Sequence, residues 1–175
     1  MRSALLIGAG RSHRLLNLES VPLPEKIVTL DINPDHTPDV LWDLNVVPWP
    51  FEDESFDEIH AYEVLEHLGS QGDAKSFFET FSEIHRILKK GGILFGSCPN
   101  SESAWLLAEP SHRRVILPHT FNFLSQKFYD GVGKTASSDF RNIWKGNLEY
   151  VWIDDTNKTS SWFFALMKLD YPREE

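Results

Sequence analysis

The sequence predicts an α/β fold, a doubly wound and mostly parallel sheet that ends in a C-terminal antiparallel β-hairpin. Three observations predict it. Short, apolar, β-branched runs alternate with connecting segments through the first hundred residues, the pattern of a parallel sheet with helices on its faces. Residues 73–90 carry helical periodicity, with Phe77, Phe81, Ile84 and Leu88 on one face. Near the end, "LEYVWID" and "SSWFFALMKL" flank the turn-forming "DTNKT", which reads as a hairpin.

The elements follow in order. "SALLIG" is a buried-type strand stopped by glycine, and "RSHRLLNLES" reads as a short helix with Ser12 near its start. "KIVTLDI" is a second strand ending at Asp31, and "NPDHTPD" is a turn with two prolines. "VLWDLN" gives a third strand ending near Asp43, and "EIHAY" a fourth after the loop "PWPFEDESFD". The long helix is expected to stop at Gly91–Gly92, and "ILFGSC" is a fifth strand closed by Pro99. A polar and aromatic stretch follows, then a short helix near residues 125–131.

Length and composition narrow the class. The 175 residues, 41% hydrophobic and 25% charged, suit one globular domain, read as residues 1–175. No apolar run reaches the roughly 18 residues of a membrane span, and no signal peptide is read at the N-terminus. The single cysteine, Cys98, excludes an internal disulfide and points to the cytoplasm. A net charge of −9 argues against bulk nucleic-acid binding.

In such sheets ligands bind at the carboxyl ends of the strands. The glycine turn "IGAG", Asp31, Asp43 and the segment after "EIHAY" all lie there. Gly8 and Gly10 let backbone amides approach a ligand, and an acidic residue about 20 positions on accepts ribose hydroxyls, which indicates an adenosine-type ligand. A dinucleotide loop would have a third glycine where His13 stands. That replacement, with no "Y-x-x-x-K" pair, disfavours a nicotinamide-dependent oxidoreductase.

The stretches "DLNVVPWPFEDESFDEIHAYEVLEHL" and "FFETFSEIHRILKKGGILFGSCPN" strongly resemble the class I S-adenosylmethionine-dependent methyltransferases, type 11-like, with their Rossmann-like fold. The resemblance runs from Leu5 to Leu169. It implies that Gly8 and Gly10 meet the methionine part of S-adenosylmethionine and that Asp31, with Ile32 beside it, binds the ribose. It further implies that Asp43 accepts from the adenine amino group, that Leu44 contacts the ring, and that Ala61 and Tyr62 flank the sulfonium. The chain departs from the family at Leu6, where an acidic residue is usual, and at Ser12, where a glycine is. It also starts directly at the first strand, with minimal N-terminal cover.

At the acceptor side, "YEVLEHL" presents Glu63, Glu66 and His67 within one helical turn. His67 is the candidate base or orienting donor, with Glu66 beside it. The Glu-x-x-Glu-His pattern also resembles a metal site of ubiquinone-pathway O-methyltransferases and of enzymes methylating the 2′-hydroxyl at small-RNA 3′ ends. A divalent metal is the lesser expectation, with His112 or His119 as the later ligand. His112 and Arg113 are candidate acceptor contacts, within an acceptor-side insertion at about residues 99–123. The absence of an "NPPY"-like motif argues against methylation of DNA base amines.

The expected function is methyl transfer to an oxygen or nitrogen of a small molecule or glycan. The alternative is a non-catalytic binding or scaffold protein of the same fold. A partly uncovered sheet leaves room for a homodimer.

Overall fold

The computed structural model describes residues 1–18 and 21–171. Seven strands form one sheet: β1 (Ser3–Ile7), β2 (Lys26–Asp31), β3 (Val40–Leu41), β4 (Phe56–Tyr62), β5 (Leu88–Pro99), β6 (Leu148–Asp154) and β7 (Ser161–Lys168). The order is β3-β2-β1-β4-β5-β7-β6. β1 to β5 pair in parallel, and β7 runs antiparallel to both β5 and β6. The chain works outward from β1 to β3, then returns to lay β4 on the other side of β1. That reversal places a topological switch point at the C-terminal ends of β1 and β4, where Ile7 pairs with Ala61.

The two sheet faces are covered differently. Helix α1 (Ala74–Ile87) lies on the first, starting where Asp73 accepts the Ser76 amide proton. It buries Phe77, Phe78, Phe81, Ile84 and Ile87 against the sheet. Phe121, Trp144, Trp162 and Phe164 complete this core. Burying an indole strands its N–H unless a partner is supplied. Here Trp144 donates to the Leu124 carbonyl at 3.0 Å and Trp162 to the Ile116 carbonyl at 3.1 Å.

Four elements differ from expectation. No helix forms over the described part of residues 11–20; Glu19 and Ser20 lie outside the described residues. The segment is an irregular strap, and Leu16 and Leu18 on it, with Val21, cover Ile93, Phe95 and Ala165 on the second face. Between Gly10 and Pro22 the chain is shorter than the ~12–15 residues at which helices begin to hold on their own. The Leu16 amide is also claimed by the Tyr62 hydroxyl at 2.7 Å. Helix α1 stops at Ile87, ahead of the glycines, because Leu88 already pairs with Phe56. Gly91, at φ +70°, sits in the bulge between the Leu88 and Ile93 pairings. β3 is only Val40–Leu41 and ends before Asp43. The expected short helix near 125–131 is a 3-10 helix, Gln126–Gly131.

Gly96 in mid-β5 is required by packing. An added Cβ would collide with the Ala61 carbonyl oxygen and the Phe164 ring. Neither the strand backbone nor that buried ring can yield cheaply. Gly96→Ala is expected to cost about 3 kcal/mol, read as a drop in the denaturant midpoint.

Candidate active site

The turn after β1 sets the site's floor. Gly8 and Gly10 adopt φ of +59° and +55°. At Gly8 a side chain is excluded twice over, since its Cβ would also lie 2.5 Å from Val64 Cγ2. The Gly10 amide donates to Asp31 Oδ2 at 2.8 Å, and the Asn33 amide to Oδ1 at 2.8 Å. His36 Nδ1 lies 3.1 Å from Oδ2. Burial raises the Asp31 pKa, but these bonds outweigh it and hold the carboxyl below its ordinary value. A carboxylate has about four acceptor sites, so Asp31 keeps capacity for a further donor.

Two hollows flank this carboxylate. A cavity of about 600 Å³ is lined by Gly8, Gly10, Arg11, Arg14, Tyr62 and Ser97, among others. A cleft of about 210 Å³ is formed by Ile32, Leu41, Trp42, Asp43 and Val46. Asp31 joins them, because its Oδ2 holds the Gly10 amide and its chain neighbour is Ile32. The set suits an adenosine bearing a polar tail: an apolar slot for a planar ring, a carboxylate for ribose hydroxyls, and a glycine-floored cavity.

Of the residues the sequence nominates for the cofactor, Gly8, Gly10 and Tyr62 line the cavity, Ile32 and Asp43 line the cleft, and Asp31 lies between. Leu44 and Ala61 line neither; both side chains are in the core. Trp42 and Val46 were missed. β3 ends at Leu41 and the chain turns, so strand alternation no longer tells which side chains face the slot.

A third hollow, about 450 Å³, is lined by Glu63, His67, Trp105, Glu109, His112 and Ser161, among others. Ser97 of the cofactor cavity donates its hydroxyl to Glu63 Oε1 at 2.7 Å, so one side-chain pair forms the wall between the two spaces. His67 Nδ1 lies 3.1 Å from the Ser111 carbonyl and His112 Nδ1 3.4 Å from the Leu106 carbonyl. A carbonyl only accepts, so each Nδ1 carries a proton, and Nε2 is the atom through which the neutral ring would accept a proton or bind a metal. The His112 Nε2 is 3.9 Å from Glu66 Oε1. One ligand atom from each of Glu66, His67 and His112 can be chosen with all three within 4.8 Å of one another.

Glu66 is the anomaly. It is 1% exposed, and neither carboxylate oxygen has a hydrogen-bond partner among the described residues. The Cys98 thiol lies beside it without hydrogen-bond geometry. Burial, assisted by the nearby Glu63 charge, pushes its pKa up to about 8.

The other nominated residues diverge. His119 stands outside the Glu66–His67–His112 group. The exposed Arg113 side chain does not line the acceptor hollow, and its amide donates to the Glu66 carbonyl at 2.8 Å. Its neighbour Arg114 turns inward and holds the carbonyls of Leu68, Ser70 and Asp73. Trp105, 67% exposed at the rim of the hollow, was missed as an individual contact.

The family of the Methyltransferase domain matches residues 5–96, and the chain belongs to it. It is an S-adenosylmethionine-dependent methyltransferase. No curated protein matches the sequence. Among solved structures, a SAM-dependent methyltransferase from Archaeoglobus fulgidus aligns with a TM-score of 0.59 and 18% identity, over 95% of this chain and 86% of that one. A structure of the Haloferax volcanii Trm112 methyltransferase activator with a putative methyltransferase aligns at 0.62 and 15% identity, over 99% and 84%. The N-methyltransferase NodS from Bradyrhizobium japonicum, in complex with S-adenosyl-L-homocysteine, aligns at 0.55 and 14%, over 97% and 79%. At these identities the likeness is one of fold. No helix among the described residues is long and apolar enough to cross a membrane.

Proposed function

We propose that the chain transfers a methyl group from S-adenosylmethionine to an oxygen or nitrogen of a small molecule or glycan. When bound, the cofactor supplies an already activated methyl group on a sulfonium. The protein must then hold donor and acceptor in line, exclude water and remove a proton. Asp31 takes the ribose, the Ile32–Trp42–Asp43 cleft the adenine, and the glycine-floored cavity the methionine end. The observation that carries the reading is the shared Ser97–Glu63 wall, which brings the cofactor cavity and the acceptor hollow together at the end of β4. His67 faces the acceptor with Nδ1 tied back, so Nε2 is the atom that takes the acceptor's proton. Residues 99–123 form the acceptor-side insertion of a single domain.

Calorimetric titration with S-adenosylmethionine and S-adenosylhomocysteine tests this directly. Micromolar binding of both, followed by a methyl mass gain in an acceptor screen, supports it. Binding without any turnover leaves a scaffold of the same fold, and binding of neither ligand overturns the reading.

The orphaned Glu66 carboxylate favours a second reading, in which a divalent metal completes the acceptor site. Two imidazoles whose Nδ1 atoms are pinned by carbonyls, beside a buried carboxylate, are a donor set that magnesium, manganese or zinc would accept. Glu66, His67 and His112 would hold the ion, which would then orient acceptor hydroxyls. Running the acceptor screen with and without each ion separates metal assistance from catalysis by His67 alone.

A further inference from the structure

The cofactor cavity has an unusual charge. Its lining contains two guanidinium groups, Arg11 and Arg14, and no carboxylate. In a chain of 26 acidic and 17 basic residues, a hollow whose charged lining is cationic alone runs against the net charge. Among the described residues neither Arg11 nor Arg14 forms an ion pair or a side-chain hydrogen bond. Leu6, at the back of the cavity, brings no charge at all.

The strap that carries these arginines is fixed by a buried polar chain along one face of β4. Arg2 Nε donates to Glu58 Oε1 at 2.7 Å, and His60 Nε2 to Glu58 Oε2 at 2.9 Å. Burial raises the Glu58 pKa, but hydrogen bonds from His60 and Arg2 outweigh it and hold the carboxyl below its ordinary value. A carboxylate only accepts, so His60 Nε2 carries its proton and Nδ1 is free to accept from the Tyr62 hydroxyl at 2.6 Å. The Tyr62 oxygen in turn accepts the Leu16 amide at 2.7 Å. Every group in the chain is used once, and His60 is 0% exposed and stacked on Phe95. A network this complete fixes one position of the strap.

We propose that the strap, clipped at Leu16 by Tyr62, is the receptor for the α-carboxylate of the cofactor's methionine half, with Arg11 and Arg14 as its partners. Tyr62, His60 and Glu58 are positioning residues for that contact. The inference rests on the cofactor reading above. Two guanidiniums with no partner among the described residues, beside a glycine floor, call for an anion, and the carboxylate is the anion S-adenosylmethionine carries.

The test compares S-adenosylmethionine with its decarboxylated analogue by calorimetry, on wild type, Arg11→Ala/Arg14→Ala, Arg14→Lys and Tyr62→Phe. The double variant is expected to lose about 10- to 100-fold in affinity for S-adenosylmethionine and to bind the decarboxylated analogue as wild type does. Tyr62→Phe gives a smaller loss confined to the same ligand, because the strap is unclipped but its arginines remain. Arg14→Lys recovers part of the affinity through charge alone. Equal losses for both ligands, or none, overturn the proposal. A parallel titration with ADP guards against a phosphate site: tight ADP binding that vanishes in the double variant also overturns it. Failure of wild type to bind S-adenosylmethionine, its analogue or S-adenosylhomocysteine would instead sink the cofactor reading.

Discussion

Asp31→Ala is expected to weaken cofactor binding by a factor of about 10 to 100 while keeping the sheet intact. The carboxylate stands at the C-terminal end of β2, between the glycine-floored cavity and the Ile32–Trp42 cleft. Any ligand spanning both must pass it. A ribose hydroxyl donating to a carboxylate makes a charge-assisted bond of about 1.5–3 kcal/mol, so losing the one that Asp31 still has room for lowers affinity about 10- to 100-fold. Local structure is disturbed far less. The Gly10 and Asn33 amides lose their acceptor, but Gly10 borders the open cavity and Asn33 is only half-buried, so water can take its place. Calorimetry with S-adenosylhomocysteine measures the affinity, and far-ultraviolet circular dichroism with a thermal melt checks the fold. A variant that binds within threefold of wild type would remove Asp31 from the ribose site.

The parts of the fold set by local rules were readable in the sequence. Phe77, Phe81 and Ile84 share a face because helical periodicity puts them there, and all three are buried; Leu88, read with them, is instead the first residue of β5. The glycine turn and Asp31 stand at strand ends because each strand stops where its apolar run does, whereas β3 stops at Leu41, ahead of Asp43. What was not readable depends on partners far along the chain. Residues 11–18 are not helical, and the Leu16 amide is claimed by Tyr62, 46 positions away. Arg113 and Arg114 are adjacent and chemically alike, yet only Arg114 meets the carbonyls that draw it inward. His112 and His119 were equivalent candidates until the backbone around Leu106 fixed His112 near Glu66. Arg11 and Arg14 looked like polar residues on a helix; only the absence of that helix turns them toward the cavity.

Glu66→Gln is expected to change stability in opposite ways with and without a divalent ion. In chelator, the unfolded wild-type carboxyl ionises near its ordinary value of 4.5, whereas the folded one keeps its proton up to about 8. Between those values the folded state binds more protons, so this group's contribution to stability falls as pH rises through that window and levels off above it. The upper bound on the fall is about 5 kcal/mol, reduced in practice by local relaxation. Glutamine cannot ionise, so the variant should match wild type near pH 5 and exceed it by about 1–3 kcal/mol at pH 8. Denaturant midpoints for the two proteins across that range measure the difference and cancel contributions from the other titrating groups. Adding manganese at pH 8 then separates the two readings of the acceptor site. If the ion binds Glu66, His67 and His112, it supplies the missing charge partner: the wild-type midpoint rises past that of the variant, which no longer offers an anionic ligand. If neither midpoint moves, the site binds no metal, and Glu66 is a buried carboxyl that stays protonated through neutral pH. His67 would then be left to take the acceptor's proton without help from a metal.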